Sequence, residues 1–247
     1  MRNPGVVYKT LACFYAGAAV NWFYKKVNQF TAARTPCESR AAQSRPRYLL
    51  FRADTKMNRY QYKNLTVEVL DEPTYKVGSA DNNFTYSKHY FGDEATEYPI
   101  SKHGIKIYRD NLVIDSCIII GSGGATGIHQ NSSIIDKELL LVCCCNTVFC
   151  LKLPDLVLKW KTQVDQATCF QVFKLKDDYI VHGELQVARI DDEGKIKWEF
   201  GGADIFVSVD NEEEFEILDD GILLTDFAKT KYKIDFDGKL LWDTYKR

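Results

Sequence analysis

The run Gly121-Ser122-Gly123-Gly124-Ala125-Thr126-Gly127, continuing into Ile128-His129-Gln130-Asn131-Ser132-Ser133, holds the groups best placed to do chemistry. Four glycines in seven residues let backbone N–H groups converge, as loops that cradle phosphate require. A strand-like run, Cys117 to Ile120, enters this loop and invites a dinucleotide reading. The context excludes it, because that fingerprint needs a helix next, whereas Ser133 to Leu141 reads as another strand. Thr126 also stands where the third glycine should be, and no Walker lysine follows. Two readings remain. The loop is a long connection between structural units, or it binds a small ligand or partner. In the second case Gly121, Gly123, Gly124 and Gly127 shape the backbone, and His129, Asn131 and Ser132 supply polar contacts.

Other reactive residues are sparse. His182 and Glu184 flank Gly183 and, two residues apart, share a strand face. They would suit an acid–base pair or half a metal site, but a third ligand is missing and a surface hydrogen bond is the plainer expectation. His89 and His103 have no sequence neighbours that suggest chemistry. There is no G-x-S-x-G elbow, no H-E-x-x-H and no repeated D-x-D loop, so no catalytic or metal-ligating residue is assigned. Cys143-Cys144-Cys145 is a consecutive run in an apolar strand, with Cys150 on the next. Neighbouring strand residues point to opposite faces, so the run presents no joint tetrahedral site. Cysteine here acts as a small buried hydrophobe, which argues for a reducing, cytoplasmic compartment.

A second candidate is electrostatic. Asp210, Glu212, Glu213 and Glu214, with Glu216, Asp219 and Asp220 close behind, place seven acids in eleven residues between two strands. Such a run is either a solvated hairpin protecting an edge or a patch that steers a basic protein.

Repeated strands must position these groups. The last copy runs Asp219-Asp220-Gly221-Ile222-Leu223-Leu224, then Lys231 to Phe236, then Asp237-Gly238-Lys239-Leu240-Leu241-Trp242. A middle copy has Asp177 to Val181, Val187 to Ile190, and Asp192-Glu193-Gly194-Lys195-Ile196-Lys197-Trp198. The first has Asp136 to Leu141, Val148 to Leu153, and Pro154 to Trp160. Apolar residues alternate strictly in Lys195 to Phe200 and in Lys231 to Phe236, which predicts antiparallel strands with one buried and one wet face. Asp237-Gly238 and Glu193-Gly194 supply the positive-φ residues of tight turns. Trp160, Trp198 and Trp242 lie 38 and 44 residues apart, the size of a propeller blade, and are expected to be buried in equivalent places. Tyr108 to Ile114 reads as a degraded fourth copy. The fold class is therefore all-β: an antiparallel, propeller-like meander of three repeats, or four with that copy, of four strands each. Thr66 to Leu70, Phe84 to Phe91, Ile105 to Arg109 and Leu112 to Ile120 read as further strands, and helix should be scarce.

Asp-Gly-Lys-x-x-Trp, clearest in the last copy, resembles the blade signature of the PQQ-like, quinoprotein-type β-propeller repeats. From Gly121 to Trp242 the chain is also similar to a group of uncharacterised bacterial proteins that carry such repeats. The resemblance implies a propeller-type scaffold and no particular activity. Propellers typically have four to eight blades, so three copies are too few to close a ring. Quinone binding in that family needs a full ring and its funnel of ligands, which this chain is too short to build. No cofactor is therefore expected.

Charge divides the chain. Residues 1–56 hold ten Lys or Arg and two acids, a net of +8. From Met57 to the end 22 basic and 32 acidic residues leave −10, and the two parts make up the overall −2. Two domains of organisation are expected: a basic, disordered extension over 1–56 and a β-repeat domain over 57–247. Met57 is the only methionine after Met1, which would fit translation starting there. Alternatively Leu11 to Val20 forms the apolar part of an export signal. An acidic domain disfavours nucleic acid, and no segment predicts a membrane span. The functional expectation is a non-catalytic interaction module, immunity-type or regulatory, that takes a protein partner, with a basic one favoured. The competing expectation is a small-ligand-binding protein or small enzyme working at Gly121 to Ser132.

Overall fold

The alternation read from the sequence folds into hairpins, and the hairpins into four successive sheets, in the computed structural model, which describes residues 57–208 and 213–245. The extension 1–56, Asp210 and Glu212 lie outside the described residues. The first sheet takes β1 (Met57–Tyr62), β2 (Leu65–Asp71), β3 (Lys88–Phe91), β4 (Ser101–Arg109) and β5 (Leu112–Gly121), in the order β1-β2-β4-β5-β3. The second is β6 (Ser133–Asp136), β7 (Leu139–Cys144), β8 (Thr147–Lys152) and β9 (Val157–Gln163). The third is β10 (Cys169–Leu175), β11 (Asp178–Gly183), β12 (Gln186–Ile190) and β13 (Ile196–Gly201). The fourth is β14 (Phe215–Leu218), β15 (Gly221–Thr225), β16 (Lys231–Ile234) and β17 (Leu240–Asp243). No helix occurs among the described residues. The degraded copy at Tyr108 to Ile114 is real: Asp110 and Asn111 form the β4–β5 turn at φ of 50° and 65°.

One detail repeats four times. The ladder between the third and fourth meander strands breaks register at Ile107/Tyr108, Cys150/Leu151, Arg189/Ile190 and Lys233/Ile234. A bulge there leaves one residue of the outer strand unpaired and re-aims the next side chain. In the last three sheets that next residue is Trp160, Trp198 or Trp242. The tryptophans therefore occupy equivalent places.

Successive sheets pack face to face through three apolar clusters. Val67, Ile107, Leu140 and Phe149 join the first sheet to the second, Leu141, Cys150, Val172 and Tyr179 the second to the third, and Ile180, Val187, Phe215 and Ile222 the third to the fourth. Each inner strand is sandwiched between two neighbours, so β7, β8 and β11 are buried on both faces. The expected wet face survives on the outer strands β9 and β13, which alternate residue by residue. Lys233 departs from the expectation: it is only 7% exposed on β16, with Nζ 2.5 Å from Asp220.

The two end sheets solve different problems. Residues 72–100 cross the outer face of the first sheet, where Tyr75, Tyr86 and Ala95 bury Ile118 and Ile120. Gly104 permits this, because a β-carbon there would meet the Tyr86 hydroxyl at 1.9 Å. The same segment adds β3 parallel to β5, so the core is not purely antiparallel as the repeats suggested. The cause is a long excursion that returns to the sheet edge from outside the meander.

Across the last sheet Glu216, Leu223, Lys233 and Trp242 lie opposite one another in register, on the face turned away from the third sheet. The matching row of the third sheet is Phe173, Ile180, Arg189 and Trp198, which packs on the fourth. The two rows match closely: Leu223 stands for Ile180, Lys233 for Arg189 and Trp242 for Trp198, and only Glu216 replaces an apolar residue, Phe173. Among the described residues, no apolar cluster joins the fourth sheet to the first, so the blades form an open arc. Trp242 is accordingly 47% exposed, and Trp160 and Trp198 are half-buried, a correction to the expectation that all three tryptophans are buried.

Candidate functional site

The glycine-rich loop leaves β5 at Gly121 and ends at β6, crossing from the first sheet to the second. Three of its glycines sit where neighbouring residues leave no room for a side chain. A β-carbon on Gly121 would lie 2.8 Å from Cys144 O, on Gly123 2.8 Å from Ala167 O, and on Gly124 1.8 Å from Thr168 Oγ1. The Gly124 N–H donates to Ala167 O at 2.7 Å. Gly127 differs, because the nearest atom to its missing β-carbon is Asp71 Oδ2 at 3.9 Å.

Thr126 ties the middle of the loop down. Its N–H donates to Ser101 Oγ at 2.8 Å, and the Ser101 hydroxyl donates to Thr126 O at 2.9 Å. Thr126 Oγ1 accepts the Cys145 N–H at 2.9 Å and lies 3.1 Å from His103 Nε2. His103 is fully buried, with Nδ1 3.5 Å from Asp71 Oδ1 and otherwise unpartnered. Asp71, His103 and Thr126 thus stand in line. Beside them the Cys145 thiol is lowered to about 7, chiefly by its hydrogen bond with Cys144, against the effect of burial. Sequence reasoning passed over His103, whose partners are 32 and 23 residues away along the chain. No local spacing could have signalled it.

The second half of the loop is knotted at its base and open at its tip. Ser132 is buried, and its hydroxyl donates to His129 O at 2.8 Å while accepting the His129 N–H at 3.0 Å. Asn58 Nδ2 donates to His129 O at 2.8 Å, and the Tyr60 hydroxyl donates to Ser133 O at 2.5 Å. Asn131 adopts a φ of 63°, and its carbonyl accepts the Val172 N–H at 2.8 Å. His129 and Gln130 are exposed at the tip, and Asn131 is half-buried.

That tip separates two depressions on the first strands of the sheets. One, of about 430 Å³, runs between Met57–Tyr60 and Ser133–Ile135. The other, of about 400 Å³, runs from Gln130 and Asn131 past Gln171 and Phe173 to Glu213–Ile217. The structure therefore brings Asn131 of one candidate set and Glu213 and Glu214 of the other to a single groove. Burial raises the Glu214 carboxyl above its ordinary value, and the Glu213 charge adds to the effect.

His182 and Glu184 are not the surface pair expected. Both are buried, His182 on the inner strand β11 and Glu184 in the turn directly after it. The His182 ring stacks on Phe215 at 4.9 Å, and Nε2 lies 3.3 Å from Phe206 O. Burial lowers its pKa to about 4. Glu184 follows β11 and accepts the Thr168 hydroxyl at 2.7 Å. Cys117, Cys143, Cys144, Cys145, Cys150 and Cys169 are all free and buried. Among the described residues, no group of three or more His, Cys, Asp or Glu side chains is arranged to hold a metal ion, and no helix is long and apolar enough to cross a membrane.

No protein-family model matches this chain, and no curated protein matches it. Similar solved structures include the computationally designed Ika8 protein, at 11% identity over 75% of this chain and 60% of that one, with a TM-score of 0.42. BamB from Moraxella catarrhalis is similar at 9% identity over 78% and 76% of the two chains, with a TM-score of 0.36. The AfRom2 CNH domain is similar at 9% identity over 78% and 71%, with a TM-score of 0.39. The chain spans 60% of the length of the designed protein.

Proposed function

We propose that this protein is a non-catalytic binding module that captures an extended basic segment of a protein partner in the groove between Asn131 and Glu213–Glu216. The observation that carries this reading is the convergence of Gln130, Asn131 and Gln171 with Glu213, Glu214 and Glu216 around about 400 Å³. Amides offer hydrogen bonds to a backbone, carboxylates attract Lys or Arg, and Phe173 gives the floor an apolar surface. The net −10 from Met57 onward supports a basic protein as partner and disfavours nucleic acid. Six free, buried cysteines support a reducing, cytoplasmic compartment, and an immunity-type or regulatory role is the setting we favour. The test is capture of a partner from source-cell lysate, followed by association kinetics with the Glu213→Lys/Glu214→Lys variant. Reversal should slow association and flatten its salt dependence while dissociation changes little. An association rate indifferent to both charge and salt overturns the reading.

A second reading, a small enzyme at the glycine-rich loop, is favoured by one observation. Asp71, His103 and Thr126 stand in the order of a proton relay to a hydroxyl nucleophile. Covalent labelling by a fluorophosphonate, lost in Thr126→Ala and in His103→Gln, would support it. An unlabelled chain would leave the three residues as the tie that anchors the loop.

A further inference from the structure

We propose that the open face of the fourth sheet docks a glycine turn of a second, different protein, with Trp242 as its anchor. Trp242 lies on β17, at the opposite edge of the fourth sheet from β14, which lines the groove, and the fold itself shows what fits it.

Two equivalent tryptophans are already docked. Trp160 lies over the turn after β12, where its Nε1–H donates to Asp192 O at 2.9 Å. A β-carbon on Gly194 would be 2.5 Å from its ring. Trp198 lies over the turn after β16, donating to Phe236 O at 3.0 Å, and a β-carbon on Gly238 would be 2.6 Å away. The receiving turns share one design, Asp191-Asp192-Glu193-Gly194-Lys195 and Asp235-Phe236-Asp237-Gly238-Lys239. In each, the first Asp accepts two backbone N–H groups and the glycine takes a φ near +80°, at 82° and 79°. A positive-φ glycine both closes the turn and leaves room for the indole. Arg189, opposite Trp198 in register, braces the contact by donating to Phe236 O at 2.8 Å while Asp178 holds it in place.

Trp242 has the same equipment, but no turn among the described residues receives it. Lys233 stands opposite it in register, as Arg189 does for Trp198, and Asp220 holds the ammonium. The bulge residue before each tryptophan is lysine in the second and third sheets, Lys159 and Lys197, but Leu241 in the fourth. An edge strand left in water would be expected to keep the lysine. Leu241, Trp242 and Tyr245 are instead large apolar side chains left exposed along and just after this edge strand, where a docked partner would cover them.

A second copy of this chain offers no matching turn among the described residues. The Gly194 and Gly238 turns are already covered by Trp160 and Trp198. The turn after β8 is taken by Tyr90, whose hydroxyl donates to Leu156 O at 2.8 Å. The turn after β4 carries Asp110 and Asn111, whose β-carbons would stand where the indole must lie. Gly78 has open space, but Lys76 O, the carbonyl two residues before it, already accepts the Ser79 N–H and Asn82 Nδ2. The occupant is therefore an Asp-x-x-Gly-Lys turn of another polypeptide, such as a blade of the same design.

The probe is a cyclised hairpin peptide with the sequence of residues 187–200, added to the ¹⁵N-labelled full chain. Titration should shift the Trp242 indole N–H signal to saturation. Trp242→Ala, which removes an exposed side chain, should weaken binding by about tenfold or more, as should alanine in place of the peptide's turn glycine. Absence of binding up to about millimolar peptide overturns the proposal. So does binding indifferent to either substitution. Sedimentation that shows the full chain self-associating through Trp242 would assign the face to a second copy and equally overturn it.

Discussion

Trp198 and Gly238 form one joint between the third and fourth sheets: the indole rests where a glycine β-carbon would be, 2.6 Å from Cδ2. Trp242 occupies the same place in its own sheet with no glycine beneath it. Identical residue types in equivalent positions should therefore differ in energetic weight. Trp198→Ala is expected to cost about 3 kcal/mol, and Trp242→Ala no more than about 0.5 kcal/mol. Gly238→Ala adds a clash to a left-handed backbone and should cost about 1–3 kcal/mol. Urea unfolding of the three variants checks this. Equal losses at the two tryptophans would mean that the joint does not hold the sheets together.

The glycines of the loop should separate in the same way. Gly124→Ala places a β-carbon 1.8 Å from Thr168 Oγ1 and should destabilise by about 1–3 kcal/mol. Gly127→Ala meets nothing closer than 3.9 Å and should leave the melting temperature nearly unchanged. A stable Gly124→Ala protein would show that the loop packs less closely than these distances require.

His182 links stability to acid. Its pKa is lowered to about 4 in the folded chain by burial, against 6.5 for an ordinary histidine. Between those values the unfolded state binds more protons, so stability falls as pH drops from 6.5 toward 4. The contribution is complete above about pH 6.5, and its loss reaches something on the order of 3 kcal/mol as pH 4 is approached. Urea midpoints at pH 7 and pH 4.5 should lie further apart for the native chain than for His182→Gln. Parallel losses in both proteins would place the acid sensitivity elsewhere.

The charge break at Met57 leads to a prediction about the extension. A polypeptide beginning at Met57 should express solubly and melt with the full chain, because the described residues from Tyr60 onward already supply an apolar cluster between each pair of successive sheets. Aggregation, or a melting temperature several degrees lower, would assign residues 1–56 to the domain.

Much of the scaffold was legible along the chain. The Asp-Gly-Lys turns, the strict alternation around Trp198 and the repeat spacing depend on near neighbours, and period-two patterning and positive-φ glycines act within a few residues. The fourth copy at Tyr108 to Ile114 could be read even without its glycine, because Asp and Asn tolerate the left-handed turn. The candidate site was legible only in parts. Asn131 and Glu213 were each visible, but the groove they share joins residues more than eighty positions apart.

The sequence by itself determined the all-β meander, the turn positions and the equivalence of the three tryptophans, since local sterics and side-chain alternation carry that information. Tertiary structure alone decided which faces were covered. The inner strand β11, sandwiched between sheets, buries His182, and the turn after it buries Glu184, both of which were expected at the surface; Lys233 is buried on the last sheet with Asp220 holding its ammonium. The 72–100 segment covers the first sheet, whereas Trp242 on the last sheet stays exposed because, among the described residues, no further sheet packs on that face. Burial is a property of what packs against a residue, and for His103, Asp71 and Thr126 that partner comes from elsewhere in the chain.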